Sequence, residues 1–396
     1  MSDGTIPERI RWWQDARFGM FIHWGLFSVH GMGVWHEFLA HVRKAEHAKL
    51  ADEFNPRHYR PREWVAVAQD AGMRYMVLTT RNHDGYCAFD SKTTDFTSVR
   101  SAAQRDLVAE YAEACHAMGV RMGFYYSLLD WRFPGSTRDS IRGPDEMYAA
   151  MVEQAHEQVR ELMSNYGTVD ILWYDGMKPW DPVLWRSAEL NGMARRLQPG
   201  IIINNRAGLP EDFGTPEQTI TPESRPWEAC YTTNGMWGYC PADTTWKTPR
   251  EILGLLITCV SQGGNLILNV GPDRDGLFPR EAVERLRVVG AWMKANGRAI
   301  YGATASPYYG REVGWSTQRG CTVYVLAARW HGPETVIGWC GNRVLAARLL
   351  ATGEEVWFEQ EGDRVCLSDL PRHAPDPYVT VIELDVEGEP RRSDPE

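Results

Sequence analysis

The sequence of 396 residues contains no run of 18 apolar residues, and its N-terminus, MSDGTIPERIRWWQDARFG, lacks the apolar core of a secretion signal. A membrane-spanning helix needs about 20 consecutive apolar residues, and a signal peptide needs an apolar stretch of its own. We therefore expect no membrane span and a cytoplasmic location.

Basic clusters are also missing. The chain carries 42 lysines and arginines against 52 acidic residues, a formal net charge of -10, and it has no Lys/Arg-rich run. Binding to nucleic acid or to anionic lipid relies on such clusters. The charge balance argues against both partners and favours a neutral ligand.

The eight cysteines form no CxxC pair and show no Cys/His spacing that suits zinc. We interpret them as reduced, mostly buried thiols. They are Cys87, Cys115, Cys230, Cys240, Cys259, Cys321, Cys340 and Cys366.

What the sequence has in quantity is aromatic side chains, with 17 tryptophans and 16 tyrosines. Aromatic faces stack against the C–H faces of sugar rings, although most aromatic residues of any protein lie in its core. The abundance is compatible with a sugar-binding cleft and does not establish one.

Short apolar runs alternate with helical stretches from about residue 18 to residue 300, which is typical of a parallel β/α architecture. A chain of this length usually divides into domains. We predict an α/β fold with a (β/α)8-like barrel over residues 1–303. The predicted strands are 18–24, 75–80, 122–127, 171–175, 201–205 and 265–270, and predicted helices begin near Pro61, Arg105, Pro249 and Pro279.

After residue 303 the pattern changes to alternating apolar and polar residues, as in CTVYVLAARW, EEVWFEQ and YVTVIELDV. This period and the Gly, Pro and Asp turns between the segments predict an antiparallel β-sandwich over 304–386. The charged segment 387–396 is poor in apolar residues, and we expect it to be disordered.

Polar residues follow the predicted barrel strands, where the active site of a barrel enzyme lies. They include a carboxylate, imidazoles, a guanidinium and indoles. The set consists of His23-Trp24, Asn82-His83-Asp84, Tyr125-Tyr126-Ser127, Trp173-Tyr174-Asp175 and Asn204-Asn205-Arg206.

Asp175 follows a buried strand and precedes a glycine, which suits the nucleophile of a retaining glycosidase. Alone it would be better explained as a helix or turn cap, but its polar neighbours favour catalysis. A second carboxyl group must lie about 5 Å away. The candidates, all in the Pro/Gly-rich stretch 210–239, are Asp212, Glu217, Glu223 and Glu228.

Two other chemistries are weaker. His23 and His83 could bind a metal, but the first strand offers one histidine where metal-dependent barrel hydrolases usually have His-x-His. Gly263-Gly264 and Gly271 open no phosphate-binding helix of the expected form. We predict no metal and no cofactor.

An ordered set of motifs resembles the α-L-fucosidases of glycoside hydrolase family 29 over roughly residues 12–304. The motifs are FGMFIHWG, NHDGYCAFDSK, GFYYSLLDW, LWYDG, DFGTPEQ through WEACYTTNGMWGY, and GGNLILNVGPDRDG followed by NGRAIYG. The resemblance implies a retaining exo-hydrolase that removes terminal α-L-fucosyl units without a cofactor. It makes Asp175 the nucleophile and Glu217 the acid/base, with Glu228 in reserve.

The same resemblance implies a set of substrate-binding residues. The histidines would bind sugar hydroxyls, the tryptophans would form apolar walls, and Phe21 with Trp237 would hold the C6 methyl group. The set comprises Phe21, His23, Trp35, Asn82, His83, Tyr125 or Tyr126, Trp173, Arg206 and Trp237.

The chain departs from the family at two positions that touch the sugar in relatives. Arg81-Asn82-His83-Asp84-Gly85 replaces the common KHHDG, and Val34-Trp35 replaces Glu-Trp. A changed polar pair can re-rank sugars that differ at one carbon. The alternatives are a hydrolase of another L-sugar, such as an α-L-galactoside or α-L-glucoside, and a sugar-binding barrel without catalysis. The sequence does not indicate an oligomeric state.

Overall fold

The computed structural model describes residues 7–133, 145–177, 180–308 and 312–393. Within these ranges, no helix is long and apolar enough to cross a membrane. Seven parallel strands form one curled sheet in the order β5-β4-β3-β2-β1-β7-β6. They are β1 (Phe18–Ile22), β2 (Tyr75–Arg81), β3 (Arg121–Ser127), β4 (Ile171–Asp175), β5 (Ile202–Ile203), β6 (Glu228–Thr232) and β7 (Asn265–Val270).

The gap between β5 and β6 is bridged by residues 213–217. Phe213 pairs with Asn204 beside β5, while Gly214 and Glu217 pair with Trp227 and Cys230 along β6. This segment therefore completes the ring of strands, and the fold is a (β/α)8-like barrel. The Pro/Gly-rich stretch 210–239, in which we predicted no strand, thus contains a barrel strand and the closing segment.

Helices surround the sheet. They are α1 (Glu8–Ala16), α2 (Phe27–His30), α3 (His36–Leu39), α4 (Lys44–Ala48), α5 (Pro61–Asp70), α6 (Leu107–Met118), α7 (Asp145–Asn165), α8 (Ser187–Leu197), α9 (Pro249–Ser261) and α10 (Arg280–Asn296). Short 3-10 turns span Lys49–Asp52, Asn205–Ala207 and Gly297–Ala299. Helix α9 begins with the expected capping box, in which the Thr248 and Glu251 side chains bind each other's backbone N–H groups.

Alternation along each strand separates two apolar layers. In β3, Phe124 and Tyr126 face the helices, whereas Tyr125 faces the barrel interior with Phe21, Val77 and Trp173. The interior is filled with aromatic rings, and Trp13 of α1 closes its lower end. A cavity is lined by three of these rings, Phe21, Tyr125 and Trp173, towards the carboxyl ends of the strands.

The remaining strands are antiparallel and form two sheets of the predicted β-sandwich, β12-β15-β10-β9-β8 and β11-β14-β13. They are β8 (Thr304–Ala305), β9 (Gly314–Arg319), β10 (Thr322–Ala327), β11 (Thr335–Ile337), β12 (Val344–Leu349), β13 (Trp357–Glu361), β14 (Arg364–Ser368) and β15 (Thr380–Val386). The Trp292 indole of α10 donates to the Val379 carbonyl at 2.8 Å, which ties the barrel to the sandwich.

The expectation of a disordered tail does not hold for residues 387–393. Asn342 donates to the carbonyls of Glu387 and Glu389 at 2.8 and 2.9 Å, and the Ser393 amide donates to Trp339 at 3.2 Å. Backbone hydrogen bonds order this segment although it has few apolar side chains. Residues 394–396 of the predicted tail lie outside the described residues.

Candidate active site

A small cavity opens at the carboxyl ends of the barrel strands. Its lining contains most of the residues that we predicted, drawn from β1, β3, β4 and the loops that follow the strands. They are Phe21, His23, Val34, Trp35, Asn82, His83, Tyr125, Trp173, Asp175, Arg206, Glu217, Cys230 and Trp237.

Asp175 is the last residue of β4, and its carboxylate accepts hydrogen bonds from two sides. The Tyr125 hydroxyl donates to Oδ2 at 2.8 Å, and Arg206 Nη1 donates to Oδ1 at 2.9 Å. Burial alone would raise the pKa of Asp175, but the charge of Arg206 and the hydrogen bonds from Tyr125 and Arg206 outweigh it and lower the pKa to about 2. The carboxylate is therefore ionised at neutral pH.

Gly176 allows the chain to turn directly after this carboxylate. Its φ is +68°, and a Cβ atom here would lie 2.8 Å from the His83 ring and 2.9 Å from the Ser127 hydroxyl. Side chains other than glycine are strained at such an angle. The glycine that follows Asp175 in the sequence thus serves the close packing of His83 behind the nucleophile position.

Arg206 also binds Glu217, since its Nη2 donates to Oε2 at 2.8 Å. Arg206 lies in the 3-10 turn after β5, and Glu217 lies in the segment that closes the barrel. The guanidinium stacks on the Trp173 ring at 4.6 Å from its centroid, and its Nε donates to Thr215 Oγ1 at 3.0 Å. One fixed side chain therefore holds both carboxylates on the same wall of the cavity.

The two histidines of the cavity both present an acceptor nitrogen to it. The Ser127 hydroxyl donates to the Leu129 carbonyl at 2.7 Å, so at 2.6 Å it accepts from His83 Nδ1. The Asn269 side chain donates through Nδ2 to the Trp237 carbonyl. Its Oδ1 therefore accepts from His23 Nδ1, at 2.7 Å. Both assignments leave Nε2 unprotonated in the neutral ring.

Burial keeps these rings neutral. It lowers the pKa of His23 to about 4, although Asn269 and Asp175 act in the opposite direction. Burial also lowers the pKa of His83, against the raising effect of Asp175 and Asp84. Two neutral imidazoles with free Nε2 lone pairs suit the hydroxyl groups of a sugar.

Asn82 supplies a donor beside them. Its Oδ1 accepts from the His83 amide at 2.6 Å, which fixes the side chain. Within the described part of the chain its buried Nδ2 has no hydrogen-bond partner. A buried donor of this kind is costly unless a ligand accepts from it.

The opposite wall is aromatic. The Phe21 ring lies 5.0 Å from Trp173 and 6.1 Å from Trp237, measured between centroids. Tyr125 stacks on Trp173 at 5.9 Å with an interplanar angle of 19°. The cavity therefore combines an apolar wall with a polar one.

Two predicted site residues, Tyr126 and Glu228, lie outside the cavity. Tyr126 points away from the cavity, where its hydroxyl donates to Gln158 at 2.8 Å and contacts Arg81. The prediction left Tyr125 and Tyr126 open, and strand alternation places only Tyr125 inside. Trp35 lines the cavity, although 40% of its surface stays exposed.

Glu228, the reserve acid/base, begins β6 and lies in the barrel interior below the cavity. The Trp13 and Trp173 indoles donate to it at 3.2 and 3.3 Å, and the Tyr75 hydroxyl also donates to it. Burial raises the pKa of Glu228 to about 7 against these hydrogen bonds. It does not line the pocket, so it is wrongly placed to protonate a leaving group there.

The other two loop carboxylates are also engaged away from the cavity. Asp212 is buried against Arg9 and Arg195, and Glu223 pairs with Arg225 at 2.8 Å. Of the four candidates, only Glu217 lines the cavity. Sequence reasoning missed Cys230, which also lines the cavity. Cys230 lies two residues after Glu228 on β6, so both side chains point to the barrel interior. Had β6 been predicted, this alternation would have identified Cys230.

Across the described ranges, no group of three or more His, Cys, Asp and Glu side chains is arranged to hold a metal ion. The polar groups of the cavity are instead two carboxylates, a guanidinium, two neutral imidazoles and an amide. A barrel with a carboxylate pair beside an aromatic wall at its carboxyl end belongs to the class of glycoside hydrolases.

Comparison with known proteins gives the family. The sequence model described as Alpha-L-fucosidase matches residues 6–298. The tissue alpha-L-fucosidase of Mus musculus is 31% identical over 402 residues, which cover 91% of this chain and 88% of that protein. The chain belongs to the α-L-fucosidase family, glycoside hydrolase family 29.

Solved structures agree with this assignment. Alpha-L-fucosidase isoenzyme 1 from Paenibacillus thiaminolyticus superimposes with a TM-score of 0.91 at 38% identity, covering 96% of this chain and 99% of that one. An alpha-L-fucosidase of Bacteroides thetaiotaomicron, solved as a trapped covalent intermediate with 2-fluoro-fucosyl fluoride, has a TM-score of 0.90 at 28% identity and covers 98% of each chain.

Proposed function

We propose that the protein is a retaining exo-α-L-fucosidase, with Asp175 as nucleophile and Glu217 as general acid/base. The observation that carries this proposal is the common contact of both carboxylates with Arg206 at the wall of a small cavity. Retaining glycosidases keep their two carboxyl groups about 5 Å apart, whereas inverting ones leave room for a water between them. A shared guanidinium favours the shorter spacing.

In the first step, Asp175 attacks C1 of the fucosyl unit while the bond from C1 to the aglycone oxygen breaks. Glu217 gives its proton to that oxygen, so a neutral alcohol leaves and a covalent fucosyl-enzyme remains. Because Arg206 and Tyr125 keep Asp175 ionised, no proton has to be removed from the nucleophile beforehand.

In the second step, the Glu217 carboxylate takes a proton from a water molecule, whose oxygen attacks C1 and displaces Asp175. Glu217 is then protonated again, and Asp175 regains its carboxylate. Two inversions at C1 leave the configuration unchanged. This assignment agrees with the covalent intermediate trapped in the Bacteroides thetaiotaomicron relative.

Recognition of the sugar would use both walls of the cavity. The Nε2 atoms of His23 and His83 accept from hydroxyl groups, and Asn82 Nδ2 donates to one. Phe21 and Trp237 offer an apolar surface for the C6 methyl group that distinguishes L-fucose from L-galactose. A C6 hydroxyl placed there would lose its hydrogen bonds, which costs about 1–3 kcal/mol.

We also propose a reducing, cytoplasmic location. All eight cysteines, each within the described ranges, are free thiols, and five of them are buried. Disulfides are rare in the cytoplasm, where thiols stay reduced. Fractionation of the source cells with antibody detection would test this; recovery outside the cytoplasm would contradict it.

The function is tested with p-nitrophenyl α-L-fucoside beside the matched L-galactoside, L-glucoside and β-D-galactoside, using wild type and Asp175→Ala. We expect release from the fucoside that is lost in the variant, and about 10- to 100-fold less from the L-galactoside. Asp90→Ala, at an exposed aspartate that does not line the cavity, is the matched control. Near-normal turnover by Asp175→Ala would refute the mechanism, and activity only on another sugar would refute the substrate.

A further inference from the structure

The fucosyl cavity opens into a second depression, here called the outer cleft and defined by Trp35, Phe38, Leu39, Trp131, Met177 and Trp180. Asp175, Arg206 and Glu217 line both spaces. In the proposed reaction the leaving oxygen lies between these carboxyl groups. The group attached to that oxygen must therefore extend from the small cavity into the outer cleft.

One wall of the outer cleft is a continuous aromatic surface. Phe38 stacks on Trp131 with centroids 5.6 Å apart and an interplanar angle of 28°, and Trp35 lies 5.8 Å from Trp131. The Trp131 amide donates to the His83 carbonyl at 2.7 Å, which anchors this wall to the sugar-binding loop. The surface is thus fixed in place beside the site of bond cleavage.

Three large apolar side chains of the outer cleft are left in contact with solvent. Leu39 is 68% exposed, Trp180 is 60% exposed and Trp35 is 40% exposed. Such residues are ordinary when scattered, but a group of them beside a catalytic site marks a binding surface. Covering them with an apolar ligand removes this area from water.

Polar groups that could bind the hydroxyls of a second sugar are scarce here. Besides the catalytic groups, His83 and the indole N–H groups of its tryptophans, the described lining offers two polar side chains, Asn205 and Thr215. These two already bind each other, since Thr215 Oγ1 donates to Asn205 Oδ1 at 3.0 Å and accepts from Arg206 Nε at 3.0 Å. The outer cleft therefore offers few acceptors for the hydroxyl protons of a second sugar, and a hydroxyl buried without a partner is costly.

We propose that the outer cleft binds an apolar, preferably aromatic, aglycone and that the physiological substrates are fucosides of such groups. This inference rests on the proposed fucosidase activity. It predicts that binding energy from the aglycone is used in the transition state, so that kcat/KM rises with the apolar surface of the leaving group.

The test compares leaving groups of similar acidity. Benzyl α-L-fucoside, methyl α-L-fucoside and a disaccharide of α-L-fucose and galactose all release unactivated alcohols. We expect kcat/KM for the benzyl fucoside to exceed that for the methyl fucoside at least about tenfold and to exceed that for the disaccharide. Equal values for benzyl and methyl, or a preference for the disaccharide, would overturn the proposal.

Variants of exposed residues separate the outer cleft from general effects. Leu39→Asn and Trp180→Ala, both at solvent-exposed positions, should each lower the benzyl-to-methyl ratio at least about threefold. Trp357→Ala, at an equally exposed tryptophan on the C-terminal sandwich, should leave the ratio unchanged. An unchanged ratio in both cleft variants would overturn the proposal.

Failure of the proposed function has a different signature. If neither these three fucosides nor p-nitrophenyl α-L-fucoside is hydrolysed, the fucosidase activity itself is refuted and the aglycone inference with it. If the methyl fucoside is cleaved as fast as the benzyl fucoside, the activity stands and only the aglycone inference is wrong.

Discussion

Arg206 donates to Asp175 and to Glu217 through different nitrogens, Nη1 at 2.9 Å and Nη2 at 2.8 Å. The guanidinium also stacks on Trp173 and is bound by Thr215 through Nε. Its charge keeps the nucleophile position anionic, and its planar shape sets the spacing of the two carboxyl groups. A lysine ammonium is a point charge and cannot reproduce either the fork or the stacking.

We therefore expect Arg206→Lys to lower kcat/KM on p-nitrophenyl α-L-fucoside by about 10²- to 10³-fold, the usual effect of losing one oriented hydrogen-bond donor from an active site. Arg225→Lys is the matched control, because Arg225 pairs with Glu223 in the same stretch of chain but away from the cavity. A similar loss in both variants, or none in Arg206→Lys, would contradict the role given to the shared guanidinium.

Covalent catalysis by Asp175 predicts a stable adduct with 2-fluoro-fucosyl fluoride, because fluorine at C2 destabilises the transition state for hydrolysis of the intermediate. Mass spectrometry should find one fluorofucosyl unit on the tryptic peptide 161–186, which contains Asp170 and Asp175. Fragmentation should place it on Asp175, and Asp175→Asn should stay unlabelled. Labelling of Asp170 or of Glu217 would show that another carboxylate is the nucleophile.

Glu217 as acid/base predicts a chemical rescue. Glu217→Ala should lower kcat about 10²- to 10⁴-fold, and azide, which needs no general base, should restore turnover by attacking the fucosyl-enzyme to give a fucosyl azide. Glu223→Ala removes a carboxylate of the same stretch that does not line the cavity and should behave as wild type. Rescue absent from Glu217→Ala would remove Glu217 from this role.

Much of the barrel could be predicted because its strands are continuous apolar runs. Strands β4 and β7 agree with the predicted 171–175 and 265–270 at both ends. Strand β5 is shorter than the predicted 201–205, since the chain already turns into a 3-10 helix at Asn205. A strand that is buried on both faces can be recognised from its continuous apolar sequence, whereas the residue at which it ends depends on the elements packed around it.

Strand β6 could not be predicted in this way. Glu228–Thr232 starts with a carboxylate and follows prolines, so its local signal is that of a loop. Glu228 is buried only because donors from α1, β2 and β4, namely Trp13, Tyr75 and Trp173, meet it inside the barrel. These partners are up to 215 residues away in sequence, and no spacing rule links them.

The position of Glu228 leads to a prediction about stability. Burial raises its pKa to about 7 in the folded protein, whereas an unfolded glutamate has a pKa near 4.3. Because the folded pKa is raised, the protonated Glu228 contributes fully to stability below the unfolded pKa, and this contribution is lost as the pH rises through 7. The free energy of unfolding should therefore fall by a few kcal/mol between pH 5 and pH 8 because of Glu228.

Glu228→Gln removes this titration but leaves one donor facing an amide N–H, which costs about 1–3 kcal/mol. The variant should thus be less stable than wild type at pH 5, and the difference should shrink or reverse by pH 8.5. Urea unfolding at four pH values measures it, and Glu359→Gln on the exposed face of β13 controls for loss of a surface charge. A difference that stays constant with pH would mean that Glu228 is ionised throughout, with its three donors outweighing burial.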